Sequence, residues 1–365
     1  MQSFIGIDIH KATSHIVVLD GTTDRVVFDK NIRTKKDRFD GELAAFVPAK
    51  ILIEASTPSR WLSDHFREQG HEVIVCNPGY ALTYASRPAN RKNDREDAKA
   101  LAFACKAGHY KAVHRVSDEH RSIQELLGSR ATVIQSRTMF INRVRSLYAG
   151  KGLSLPSCDA DGFRAAVVRA GVPAVLAPAV NPLLEMLAMV EDQIHAVHRR
   201  ITIVAEAHPI ARLLMTVPGV GPIVALAFIA TVDTPTRFPN AHQLESYLGL
   251  VPTLHASAGP GGRISKMGAT YLRTVLVQAA WSLMRSQDPA ALPLQEWANA
   301  LGQRRNKQLA IVALSRRLAG VLFAIWRDQK PFELKEPKQK HVGAAAKPLV
   351  RRYALRKAAA VATTA

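Results

Sequence analysis

Asp8 lies inside the apolar run Ser3 to Asp20, SFIGIDIHKATSHIVVLD, with Phe4, Ile5, Ile7 and Ile9 around it. A carboxylate buried there without a partner is costly, so it calls for a cation, hydrogen bonds or a place at a functional edge; an acid that merely caps or pairs locally is the plain alternative. Glu54 closes a second apolar run, Ile51-Leu52-Ile53, just ahead of Thr57-Pro58, where proline suits the first turn of a helix. The C-terminal end of a buried strand is where open α/β sheets carry their sites. Asp94 and Asp97, three apart in NDREDAKALA, share one helical face and reach one ion together. Acids in a first helical turn also complement the macrodipole with no ion at all. Taken as a set, the four carboxylates suit a pair of Mg²⁺ ions, with Mn²⁺ as the substitute, in phosphodiester chemistry.

The elements that must position these acids follow from periodicity. Residues 3–20 predict a β-hairpin bent around Lys11 to Thr13, followed by a strand over 25–32 and a short helix over 37–46. A strand ending at Glu54, a helix over 59–69 and a strand over 72–76 complete a mixed sheet with helices; the acid-bearing helix runs over 92–108, capped by Asn93 or Asp94. Such an opening hairpin occurs in ribonuclease-H-like nucleases and recombinases and in sugar-kinase-like ATPases. Ile9, His10 and Lys11 follow Asp8 here, where the kinases need Gly-Thr.

From Ser117 onward the pattern is helical. Leu127, Ile134, Ile141 and Tyr148, with a neighbouring row from Leu126 to Leu147, form a wide apolar stripe, and residues 182–204 supply a partner helix starting at Pro182. The pair predicts an antiparallel coiled coil, structural or self-associating, joined by a connector with one short helix. Its arginines, among them Arg130 and Arg137, either touch phosphates or make a solvated face. Residues 213–231 have the form of a helix-hairpin-helix, in which Gly219 and Gly221 let the backbone approach a phosphate; plain packing produces the same turn. Further on, Arg263, Ser265, Lys266 and Arg273 surround a glycine-rich loop and suit phosphate handling, with Ser265 as the cap of a helix over 269–285. Lys11, at the hairpin bend, joins them as a nucleic-acid contact. A last amphipathic helix covers 304–327, and a basic tail, predicted mobile, follows residue 332. His255 and Ser257 sit too close in sequence to define a hydrolase triad.

The chain has 365 residues and a net charge of +19, which favours a polyanionic partner, nucleic acid first and an anionic membrane surface second. No apolar run reads as a bilayer span and no signal peptide opens the chain, so a cytoplasmic, nucleoid-associated location without a membrane partner is expected. Cys76, Cys105 and Cys158 fit neither a disulfide framework nor a zinc site.

Several separated motifs, GIDIHK, IEAS, NDREDAKALA, PGVGP, YLGLVP and GRISKMG with YLR, occur in the order that resembles the DEDD-type transposases of the insertion-sequence one-ten family, over nearly the whole chain. The resemblance implies an α/β plus all-α protein: a RuvC-like ribonuclease-H domain over 1–114, a helical coiled-coil dimerisation region over 115–208, a helical transposase domain with the helix-hairpin-helix over 209–332, and the tail over 333–365. It implies that Asp8, Glu54, Asp94 and Asp97 are the metal-binding tetrad and that Ser257, five residues beyond Pro252, is a nucleophile giving a phosphoserine intermediate. It further implies DNA ends and target as substrates, an element-encoded guide RNA, and a homo-oligomer, dimer or tetramer. Ser257-Ala258 stands where the family has Ser-Gly, and Asn93 where it has Thr. A resolvase with a water nucleophile and a non-catalytic nucleic-acid scaffold are the competing expectations; the scaffold leaves four acids near nucleic acid unexplained.

Overall fold

Side chains alternate across a strand, so the first apolar run must serve two faces at once. In the computed structural model, which describes residues 2–85, 93–252 and 264–333, β1 (Ser3–Ile9) pairs antiparallel with β2 (Thr13–Asp20), and β2 antiparallel with β3 (Val26–Arg33). After α1 (Lys36–Leu43), β4 (Ala49–Glu54) lies parallel to β1; after α2 (Ser59–Glu68), β5 (Glu72–Cys76) lies parallel to β4. The sheet order is β3-β2-β1-β4-β5. An antiparallel meander continued by parallel strands through helical crossovers is a ribonuclease-H-like sheet with its helices, as expected. The chain divides into two compact units, Met1–Arg115 and Val116–Ala365.

In the N-terminal unit the odd-numbered Ile5, Ile7 and Ile9 pack with Ile51 and Ile53 against Phe39 of α1 and Phe66 of α2. The opposite face, with Val17, Leu19, Leu52 and Cys76, packs on α3 (Asp94–Ala107) through Ala98, Leu101, Ala102 and Cys105. Gly6 sits at the centre of this second face. A Cβ there would lie 2.1 Å from Ala98 O and 2.3 Å from Ala102 N, so the α3 backbone rests on the β1 backbone itself. Alanines on the helix and the missing side chain of Gly6 on the strand set that approach.

The C-terminal unit is helical. α4 (Asp118–Ala149), α5 (Phe163–Ala170) and α6 (Ala177–Ala207) come first. α4 and α6 are antiparallel: Ile123 and Leu127 share a core with Ile201 and Ala205, while Ile141, Val144 and Tyr148 share another with Val180 and Leu187. α6 begins at Ala177, five residues before the expected Pro182, because Pro178 occupies the first turn and Leu176 and Val180 are buried; Pro182 is carried inside the helix. Then follow α7 (Pro209–Leu214), α8 (Pro222–Val232), α9 (Ala241–Tyr247), α10 (Thr270–Arg285), α11 (Leu292–Arg304) and α12 (Lys307–Asp328). The expected last helix over 304–327 is α12, which starts three residues later behind Asn306, whose side chain accepts from Leu309 N; α11 before it was not expected. The ends of α4 and α6 enter the same core as these later helices. α12 is long and apolar enough to cross a bilayer by composition, contrary to the expectation that no segment is, yet Leu314, Leu318 and Leu322 are fully buried in that core. The tail from residue 334 lies outside the described residues.

Candidate functional site

Strand parity brings the first two acids together. Asp8 shares a face with Gly6, Glu54 shares a face with Leu52, and the parallel register sets Ile7 opposite Ile53, so the next residue on each strand is an acid facing α3. Asn93 caps α3 by accepting from Glu96 N at 2.9 Å, which starts the helix where Asp94 and Asp97 fall in its first turn. Arg95 donates to Asp29 Oδ2 at 2.7 Å, and Asp29 Oδ1 is 2.7 Å from His15 Nε2. His15 is the cross-strand neighbour of Asp8. This relay braces the first turn of α3 against the sheet.

The electrostatics identify the cluster. Burial pushes the Asp8 carboxyl above its ordinary value; His10 opposes the shift, and the charges of Asp94, Asp97 and Glu54 add to it. The other three expected tetrad acids therefore lie within electrostatic reach of the Asp8 carboxyl, which is only 13 % exposed. Glu54 accepts a 2.6 Å hydrogen bond from the Tyr84 hydroxyl, and burial together with Glu54 keeps that phenol protonated. His10 Nε2 lies 3.3 Å from Asp8 Oδ2 and 3.3 Å from Asp94 Oδ1. Crowded carboxylates at the edge of a core are unfavourable by themselves and favourable around a hard cation. The donor set fits a divalent metal ion.

The phosphate contacts expected elsewhere divide. Arg273 is 9 % exposed and donates from its guanidinium to Leu248 O at 2.9 Å and Met267 O at 3.1 Å, so it is an internal clamp, correcting its assignment to nucleic acid. Charged donors to buried carbonyls contribute about 1.5–3 kcal/mol each, which explains a buried arginine here. Ser265 does not cap α10, whose cap position is Ala269; its N–H donates to Val251 O. Lys266, exposed and in the left-handed region at φ 55°, donates its N–H to Gly249 O. Gly219 has φ 82°, and a Cβ on it would meet Leu283 N at 2.7 Å, so α10 packing requires this glycine. Gly221 opens α8 with nothing near its missing Cβ, and Lys11 is exposed at the hairpin bend. Ser257 and Arg263 lie outside the described residues.

A second group of ligand-type side chains, Glu119, His120 and His208, occurs in the C-terminal unit. His208 Nδ1 accepts from Ile210 N and Ala211 N at the start of α7, and His120 Nδ1 lies 2.8 Å from Asp233 Oδ1. That carboxylate oxygen also accepts from Ser117 N and Ser117 Oγ at the start of α4. Its two imidazoles are thus engaged at helix ends through their Nδ1 atoms.

Sequence reasoning passed over Tyr84, the Asp29–Arg95 brace and His10. No spacing signals the first two; the third stood in the GIDIHK motif unassigned.

Two family models match the chain. One, a transposase model of the DEDD IS110 type, covers residues 5–150, and the other, described as transposase IS116/IS110/IS902 family, covers residues 211–294. A probable family 20 transposase of Pseudomonas aeruginosa is 28 % identical over 333 residues, spanning 88 % of this chain and 96 % of that one. The transposase for insertion sequence element IS1111A of Coxiella burnetii is 27 % identical, spanning 90 % of each. Among solved structures, RuvC of Thermus thermophilus aligns with a TM-score of 0.24 and 16 % identity, covering 30 % of this chain and 99 % of that one.

Proposed function

Since the chain belongs to the IS110 family of DEDD transposases, we propose that it cuts and rejoins DNA at the ends of an insertion element and at its target through a covalent phosphoserine intermediate. The observation that carries this reading is the convergence of Asp8, Glu54, Asp94 and Asp97 at one end of the sheet, with the Asp8 pKa raised first by burial and further by the charges of the other three acids. Asp8, Glu54, Asp94 and Asp97 hold Mg²⁺. The ion, when bound, offsets charge building on the phosphate and on the leaving oxygen. Tyr84 orients Glu54, and the Asp29–Arg95 brace keeps Asp94 and Asp97 turned toward Asp8.

Ser257 supplies the alcohol. Its oxygen loses a proton and bonds to phosphorus, the bond from phosphorus to the 3′ oxygen breaks, and that oxygen takes up a proton; attack by another 3′ hydroxyl on the phosphoserine reverses these steps and releases the serine. The basic chain, +19 overall, binds DNA and an element-encoded guide RNA through their backbones, and a homo-oligomer presents the copies needed for strand exchange. Lys11, Gly221, Arg263, Ser265 and Lys266 are the backbone contacts this reading retains.

The test is a denaturing gel of purified protein with Mg²⁺, element RNA and junction DNA labelled on one strand. A protein-linked DNA band in the wild type that is lost in both Ser257→Ala and Asp97→Ala is expected. Free cleaved DNA that persists in Ser257→Ala and vanishes in Asp97→Ala would mean a nuclease acting through water, and the nucleophile assigned here would be wrong.

A further inference from the structure

His10 stands at the one point of the acid cluster where its side chain touches two of the acids. Its Nε2 is 3.3 Å from Asp8 Oδ2 and 3.3 Å from Asp94 Oδ1, and the three ligand atoms lie within 4.8 Å of one another. Neighbouring ligand atoms on an octahedral ion with bonds of about 2.1 Å are about 3 Å apart. The imidazole nitrogen thus stands at the spacing of neighbouring ligands from both carboxylate oxygens. The backbone beneath the imidazole is pinned from both sides: His10 N–H donates to Thr13 O at 3.0 Å, and His10 O accepts from Thr34 Oγ1 at 2.8 Å. Thr34 Oγ1 is in turn 2.8 Å from the hydroxyl of Ser14, which is 1 % exposed. A side chain wanted only for surface charge needs no such seat. The ring itself is 53 % exposed, open to an incoming ion.

We infer that His10 is a direct ligand of the divalent cation, a nitrogen donor completing with Asp8 and Asp94 a mixed site on the open side of the cluster. This rests on the proposal that the acids hold a metal ion. Oxygen-only sites suit Mg²⁺, whereas an imidazole raises affinity along the series that runs through Mn²⁺ and Co²⁺. The site therefore prefers Mn²⁺ over Mg²⁺ more strongly than its four carboxylates alone would.

The experiment uses the full chain loaded with Mn²⁺ and reads directly coordinated nitrogen by electron spin echo modulation, alongside Mn²⁺ and Mg²⁺ affinities by calorimetry. In the wild type a coordinated nitrogen is expected. His10→Ala should remove it, weaken Mn²⁺ binding about tenfold and change Mg²⁺ binding by no more than about threefold. His10→Gln, whose amide oxygen reaches the place of Nε2, should keep ion binding without the nitrogen signal, which separates loss of a ligand from loss of the local fold. Mn²⁺ binding that Asp8→Asn abolishes but that carries no nitrogen signal, or a signal that persists in His10→Ala, overturns the inference while leaving the acids as a metal site. Failure of the wild type to bind either ion at Asp8 would overturn both.

Discussion

Each unit carries a cluster of acids and imidazoles, and the two differ in what their lone pairs meet. In the C-terminal unit Asp233 accepts from Ser117 N, Ser117 Oγ and His120 Nδ1, and His208 Nδ1 accepts from two amides opening α7. These donors are fixed by helix ends or by the neighbouring ring. In the N-terminal unit Asp8 faces other carboxylates, and its own burial first, then their charges, raise its pKa. The lesson is that burial of charge by itself does not mark chemistry. A buried acid satisfied by amides holds helices together; a buried acid crowded by acids awaits a cation.

The sharpest way to break this contrast is Asp8→Asn, expected to lower strand cleavage about 10³-fold or more, equivalent to about 4 kcal/mol of transition-state stabilisation, with unchanged thermal unfolding. Unchanged cleavage would reduce the N-terminal cluster to structure. Next in size is Gly6→Ala, which forces a methyl against the α3 backbone at Ala98 O and Ala102 N. A loss of about 3 kcal/mol in urea unfolding, together with weaker Mn²⁺ binding, is expected as the helix bearing two acids is pushed off the sheet. Asp233→Ala tests the other cluster. It should cost about 2 kcal/mol of stability by orphaning Ser117 and His120, while Mn²⁺ affinity at Asp8 stays as in the wild type. Tyr84→Phe should slow cleavage about tenfold, since a hydrogen bond to a charged group contributes about 1.5–3 kcal/mol and part is recovered by water.

The smallest effect is a pH dependence at His208. Burial lowers its pKa from 6.5, with Glu119 opposing and His120 reinforcing the shift. The folded protein thus holds His208 neutral, with Nδ1 accepting at the α7 start, while the unfolded chain takes up a proton near pH 6.5. Below that value the unfolded state binds more protons, so stability declines as pH falls, by at most about 1.4 kcal/mol per pH unit for one group. Above it the contribution is complete. His208→Gln should flatten the decline between pH 7 and pH 5 in denaturant melts.

Much of the N-terminal site was legible because its determinants are local. Parity of 8 and 54 on apolar runs, the Asn93 cap and the three-residue spacing of Asp94 and Asp97 are properties of short stretches. Tyr84 and the Asp29–Arg95 brace were not legible, since both arise from partners far apart in the chain. Arg273 misled for a related reason: an arginine near glycines and serines has the same sequence whether its guanidinium meets a phosphate or the carbonyls of Leu248 and Met267. Gly219 misled in the same way, because a turn glycine looks alike whether phosphate or α10 fills the space. Only burial distinguishes these pairs, and burial is a property of the assembled helices.

The contact between Gly6 and α3 acts on the site like a machinist's gauge block. The separation of Asp8 from Asp94 and Asp97 is set by backbone touching backbone, with Ala98 O and Ala102 N against the strand, and not by the volume of any large side chain. Isoleucines and phenylalanines on the far face of the sheet fill the core without entering this contact, so the spacing between the acids of β1 and α3 follows from the two backbones.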